Sequence, residues 1–242
     1  MSERRTTKAE RKEQARRERE EIQRRASRAR RNRRVGVSVL LVLTAGAIAF
    51  AALRPRPDVA GAEELIARAP EAARTAGCTD VSAVGPYQPE DQDRAHGELM
   101  PPVSSYPSVP PASGPHADAT LPAGVYDSPP ILGQALHSLE HGAVVVWYEP
   151  SAPATEVDRM VEFFRQPENR DHTIVAPYDY SGEGAAGTLP GGAQMALVSW
   201  HHVQTCSAPS LPVAASFADN YRAPPLAGGD YLGDAPEAGQ PI

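Results

Sequence analysis

The sequence predicts an α+β fold, a small mixed sheet with flanking helices and a long proline-rich wrapping loop, preceded by one transmembrane helix. Three observations carry that expectation. Short apolar, β-branched runs alternate with helical patterns between residues 132 and 221, a mixture that suits a sheet packed on helices. Prolines recur through residues 86–130, where each removes a backbone donor and interrupts regular structure. Residues 35–53, VGVSVLLVLTAGAIAFAAL, contain no charged side chain.

Residues 1–34 hold 15 of the 24 Lys+Arg and 6 of the 30 Asp+Glu. The formal net charge of −6 therefore conceals a basic head and a strongly acidic remainder. This head has almost no apolar face and is expected to be a largely disordered or frayed-helical cytoplasmic tail. Its arginines suit anionic lipid headgroups. Nucleic acid is not expected as a partner, because no aromatic platform is interleaved with the arginines. The 35–53 run would span about 28 Å as a helix, close to the hydrocarbon thickness of a bilayer. Arg30, Arg31, Arg33 and Arg34 crowd its N-terminal flank against Arg54 and Arg56 beyond it. That asymmetry places the N-terminus in the cytoplasm and the bulk of the chain outside, at the cell membrane. A cleaved signal peptide is the competing reading, but the head and the apolar run are both long for one.

Residues 54–62 read as a stiff linker, 63–223 as the exported globular domain and 224–242 as a disordered acidic tail. Within the domain, AEELIARAPEAARTAG is an acidic-start helix stopped by Gly77 and bent or divided by Pro70. Leu132 to His141 is a short helix turned by Gly142. The run Ala143 to Tyr148 is a buried strand, and Thr155 to Gln166 is an amphipathic helix with Thr155 as N-cap. Thr173 to Tyr178 is the next strand, parallel to the first across the helix. Ala193 to Trp200 is a third strand, antiparallel to one neighbour, and Val213 to Tyr221 is a last helix. No glycine-rich segment fits a phosphate-binding fingerprint.

Two cysteines, Cys78 and Cys206, fall on the expected exported side, where disulfides persist. A bridge between them is expected. No CxxC occurs, so a dithiol redox role has no local support.

All seven histidines lie beyond the apolar run. His137 and His141 stand one helical turn apart with Glu140 between them, the spacing two imidazoles need to share an ion. A plainer reading places His141 in the last helical turn, favoured there by the helix dipole, with Glu140 solvated. His116 ends PPASGPH, where Pro110, Pro111 and Pro115 stiffen the backbone and Gly114 permits a tight turn,. Such a turn can deliver a third ligand. His96, upstream, is a conceivable fourth, more simply read as a solvated loop side chain. Tyr126, Trp147, Tyr148 and Trp200 are expected in the core rather than around a pocket.

In this order, PPASGPH, GVYDSP, HSLEHGAVVVWYEP, VAPY and a strand ending in Ser-Trp resemble the domain of unknown function 3105 family. The resemblance covers roughly Cys78 to Cys206. It implies an extracytoplasmic domain behind a single anchor, found largely in actinobacteria, with His116, His137, His141 and Glu140 as signature positions. It implies no established activity. His201 and His202 stand where small residues would be expected, which sets them apart from any site.

His137-Ser138-Leu139-Glu140-His141 also fits the H-x-x-E-H of inverted zincin peptidases, with Glu140 as general base. That architecture wants a longer helix than this segment offers. The leading expectation is a divalent metal, zinc or copper by ligand softness, held by His116, His137 and His141 with Glu140 as a fourth or supporting ligand. No catalytic residue is assigned. The alternatives are a metal-free structural or interaction domain of the cell envelope, its protein partner unknown, and a metal-dependent hydrolase.

Overall fold

The computed structural model describes residues 61–97 and 99–242. The cytoplasmic tail and the transmembrane helix expected over 35–53 lie outside the described residues. Among the described residues, no helix is long and apolar enough to cross a membrane.

Helix α1 (Ala62–Thr75) carries Glu63 and Glu64 in its first turn and Arg74 in its last, charges that complement the helix dipole. Leu65 and Ala69, one turn apart, are its buried residues. Pro70 lies inside the helix without dividing it. Gly77, with φ +60°, turns the chain into Cys78, which is disulfide-bonded to Cys206 across 128 residues.

Among the described residues, six strands make one mixed sheet: β1 (Ser82–Ala83), β2 (Gly124–Val125), β3 (Val144–Tyr148), β4 (Thr173–Pro177), β5 (Met195–Ser199) and β6 (His202–Cys206). Their order across the sheet is β1-β6-β5-β3-β4-β2. The β3–β4 pair is parallel, with Val146 opposite Val175. Helix α2 (Leu132–Glu140) precedes β3, while α3 (Ala154–Arg165) and α4 (Pro167–Arg170) connect β3 to β4. The N-cap of α3 is Pro153 rather than Thr155, which lies inside the helix. β5 is antiparallel to β3 and also to β6. It is therefore an interior strand, buried at every position. β6 was not anticipated, because His202, Gln204 and Thr205 break any apolar pattern; its pairing with β5 supplies what its side chains do not.

Side chains on successive strand residues face opposite sides of the sheet. Val144, Val146, Val175, Met195 and Leu197 meet Met160, Phe163 and Phe164 of α3 and Phe217 of α5 (Leu211–Tyr221) in one core. Val145, Trp147, Ile174, Ala176 and Val198 build the other core with Leu136 and Leu139 of α2 and with Tyr106, Ala112 and Leu121 of the proline-rich segment. The prolines thus lay an ordered wrapping loop over the face that α1, α3 and α5 leave open. The 224–242 segment, expected to be disordered, returns over the end of α2: Glu237 N–H donates to Glu140 O and Gly239 N–H to His141 O, both at 3.0 Å.

Candidate metal centre

α2 is short because the chain leaves it through Gly142 at φ +89°. Ala143 N–H donates to Ser138 O at 2.9 Å and Gly142 N–H to Leu139 O at 3.0 Å, closing the helix with a left-handed cap. A Cβ at Gly142 would lie 2.9 Å from the Ala223 methyl, so glycine is required by both conformation and space. The cap leaves His137, Glu140 and His141 together at the C-terminal end of the helix, three and four residues apart. Glu140 is fully buried, against the plainer reading in which it was solvated.

The proline-rich loop docks on α2 through polar contacts. Ala117 N–H donates to Gly133 O at 3.2 Å. Ser138 Oγ both donates to Leu121 O and accepts from Leu121 N–H, each at 2.8 Å. The turn that presents His116 is braced from upstream by buried Asp93. Its Oδ1 accepts from Ser113 Oγ at 2.7 Å and from Tyr87 N–H at 2.6 Å, and its Oδ2 pairs with His201 Nε2 at 2.8 Å. His201 is thus a brace for the loop. Gly114 N–H donates to Asp93 O, His116 N–H to Ala95 O and Gly97 N–H to His116 O. This short ladder carries His96 alongside His116.

One ligand-competent atom each of His96, His116, His137 and Glu140 lies within 4.8 Å of the others. His116 Nε2 is 3.0 Å and His96 Nε2 3.6 Å from Glu140 Oε2. Nitrogen and oxygen ligands at about 2.0–2.1 Å from a tetrahedral ion sit roughly 3.3 Å from one another, so the two spacings to Glu140 are close to those of a coordination shell, while the group as a whole, within 4.8 Å, would draw in around an ion. His116, His137 and Glu140 come together as the sequence suggests. His96 joins them in place of His141, whose Nε2 stands 3.1 Å from His137 Nε2 at the edge of the group.

The ring orientations are fixed by the backbone. His116 Nδ1 faces Gly114 O at 2.8 Å, His137 Nδ1 faces Ala117 O at 2.7 Å and His141 Nδ1 faces Pro241 O at 2.8 Å. A carbonyl only accepts, so each Nδ1 carries the hydrogen and each neutral ring keeps its lone pair on Nε2. His116 Nε2 and Glu140 Oε2, both buried, have no hydrogen-bond partner despite facing each other. Lone pairs aimed at one another this closely require a proton or a metal cation between them. Trp200 closes the inner side with an edge-to-face contact to His116, ring centroids 5.9 Å apart. Tyr126, Trp147 and Tyr148 make no ring contact with the cluster.

Arg94 completes the electrostatics. Its Nε pairs with Glu140 Oε1 and its Nη2 with Glu237 Oε1, the latter at 2.7 Å. Burial would raise the Glu140 carboxyl, but His116 and Arg94 outweigh it and hold that group at about 2. Burial lowers His137 below the ordinary imidazole range, reinforced by the neighbouring histidines and opposed by its bond to Ala117. The results are a carboxylate at Glu140 and a neutral ring at His137, the forms a cation requires; the share of the Glu140 effect that comes from His116 needs a proton on His116 Nε2, in the place a cation would take.

The model of a family described as a protein of unknown function (DUF3105) matches residues 101–230, more than half of the chain. The chain belongs to this family. The DUF3105 match contains His116, His137, Glu140 and His141, whereas His96, Arg94 and Glu237 lie outside it. No curated protein matches the chain, and no solved structure does. The span matched to DUF3105 thus holds three of the four converging residues. The sequence offered His96 as a fourth candidate, read more simply as a solvated loop side chain, whereas Arg94 and Glu237 had no signal there; all three are brought in by pairing with other segments of the chain.

Proposed function

We propose that this domain binds one divalent transition-metal ion, zinc or copper, through His96, His116, His137 and Glu140, outside the cell membrane and tethered to it by residues 35–53. The observation that carries the reading is the gathering of three histidines, the rings of His116 and His137 each fixed by an Nδ1–H···O=C bond, around a buried carboxylate oxygen without a hydrogen-bond partner. Three nitrogens and one oxygen suit a borderline-soft cation. The basic flank of the apolar run and the Cys78–Cys206 disulfide support an exported, anchored domain.

A metal-free interaction domain would use the histidines to join loop and helix. The Nδ1 bonds serve that purpose, but it gives no role to the inward Nε2 atoms. A hydrolase would need Glu140 as a base; a carboxyl held at about 2 between Arg94 and His116 is poorly matched to proton abstraction near neutral pH. Binding, sensing or support of an envelope complex fits the site better than catalysis.

The test is elemental analysis of the purified full chain beside His116→Ala. One zinc or copper per unaltered chain, lost in the variant, is expected. A chain that carries no metal and takes up neither ion from micromolar solution overturns the proposal.

A further inference from the structure

Beyond the four converging residues lies a second constellation that shares one member with them. His141 Nε2 is 3.1 Å from His137 Nε2 and 3.4 Å from Glu237 Oε2. Both spacings are close to the roughly 3.3 Å that separates ligand atoms around a tetrahedral ion. The two groups differ in exposure. Side chains of His116 and Glu140 are 0 % exposed, whereas His141 is 14 % and Glu237 39 % exposed. Arg94 treats the two carboxylates alike, engaging Oε1 of Glu140 and Oε1 of Glu237 and leaving Oε2 of each directed at a histidine. The outer carboxylate is carried by the C-terminal segment, which is fastened to α2 through the Glu237 and Gly239 amides and through Pro241 O.

His137 decides how the two groups can be used. Its Nδ1–H is committed to Ala117 O, so only Nε2 has a lone pair, and one lone pair ligates one ion. The inner and outer positions therefore cannot both draw on His137 at the same moment. They are alternative positions for a single cation.

We infer that His141 and Glu237 form a capture position at the mouth of the site, from which a divalent cation is passed through His137 to the buried ligands. This rests on the metal-binding reading above and adds a route to it. Negative charge at the exposed mouth raises the local concentration of cations, and an exchange of ligands at His137 spares the ion a fully dehydrated passage past Arg94. A mouth of this kind accelerates entry and exit equally and leaves the equilibrium nearly unchanged, because its ligands are released once the ion has moved inward.

The experiment uses the full chain, stripped with chelator and mixed with Co(II), followed by the visible absorption of the bound ion, with release measured by adding excess chelator. Glu237→Gln and, separately, His141→Ala are expected to slow both loading and release about tenfold while the dissociation constant stays within about threefold. One ion per chain is expected throughout. Unchanged loading in both variants, two ions per chain, or a loss of affinity that equals the loss of loading rate overturns the capture position. In each of those cases Co(II) still binds, so the four-ligand site stands. If the unaltered chain binds no Co(II), both readings fall together.

Discussion

Replacing Glu140 by glutamine keeps the shape of the side chain and removes the charge on which Arg94 and His116 converge. The carboxyl is held at about 2 against an ordinary 4.5. At about 1.4 kcal/mol per pH unit, this corresponds to roughly 3 kcal/mol of folding stability in the metal-free chain. The cost falls on the carboxylate side, because Glu140 is 0 % exposed whereas Arg94 is 50 % exposed and keeps Glu237 and solvent. A depressed carboxyl stabilises the fold fully above its unfolded value, and that stabilisation drains away as pH falls from about 4.5 toward 2. Urea unfolding of both proteins in chelator, at pH 7 and at steps down to pH 2, is the assay. Glu140→Gln should be less stable by about 2–3 kcal/mol at pH 7, with the gap narrowing below pH 4.5. A gap that is absent at neutral pH, or one that does not change on acidification, would refute the argument.

Four further outcomes are expected. Ser138→Ala takes the hydroxyl donor from buried Leu121 O and leaves the Leu121 N–H with Gln134 O alone at 3.1 Å, and should cost about 1–3 kcal/mol in chemical denaturation. Gly142→Ala forces a side chain onto φ +89° and against Ala223, and should cost more than about 1 kcal/mol while exposing residues 235–242 to faster hydrogen exchange. Opening the Cys78–Cys206 loop by a double serine replacement should lower stability by about 5 kcal/mol on loop-entropy grounds, given a sequence separation of 128,. Because burial lowers His137, its contribution to metal-free stability is intact above about pH 6.5 and declines as pH drops below that value, where the unfolded chain gains the proton first. A His137→Gln chain should show a flatter stability profile between pH 7 and 5.

The strands and helices between residues 132 and 221 were legible because burial writes a period into the sequence. Ala143 to Tyr148 is apolar throughout, since β3 is covered on both faces, and Val157, Met160, Val161 and Phe164 mark the buried side of α3. The cap at Gly142 and the Cys78–Cys206 pairing were legible too, from residue chemistry. β6 was not, because an edge-ward strand held by backbone pairing to β5 has no need of an apolar stripe. Order in 224–242 was hidden in the same way: the segment is fastened by its amides and carbonyls, which every sequence possesses.

Sequence alone determined which atoms are available for chemistry: two histidines and a glutamate at helical spacing, and a third histidine on a proline-stiffened turn. Tertiary structure decided which of them meet. His96 reaches the cluster through the pairing of residues 95–97 with His116, and Arg94 reaches Glu140 and Glu237 across 46 and 143 residues. Helical period is a local property, written into neighbouring residues. Convergence of side chains this distant depends on how the loop, helix and C-terminal segment pack, and no single stretch of sequence encodes that packing.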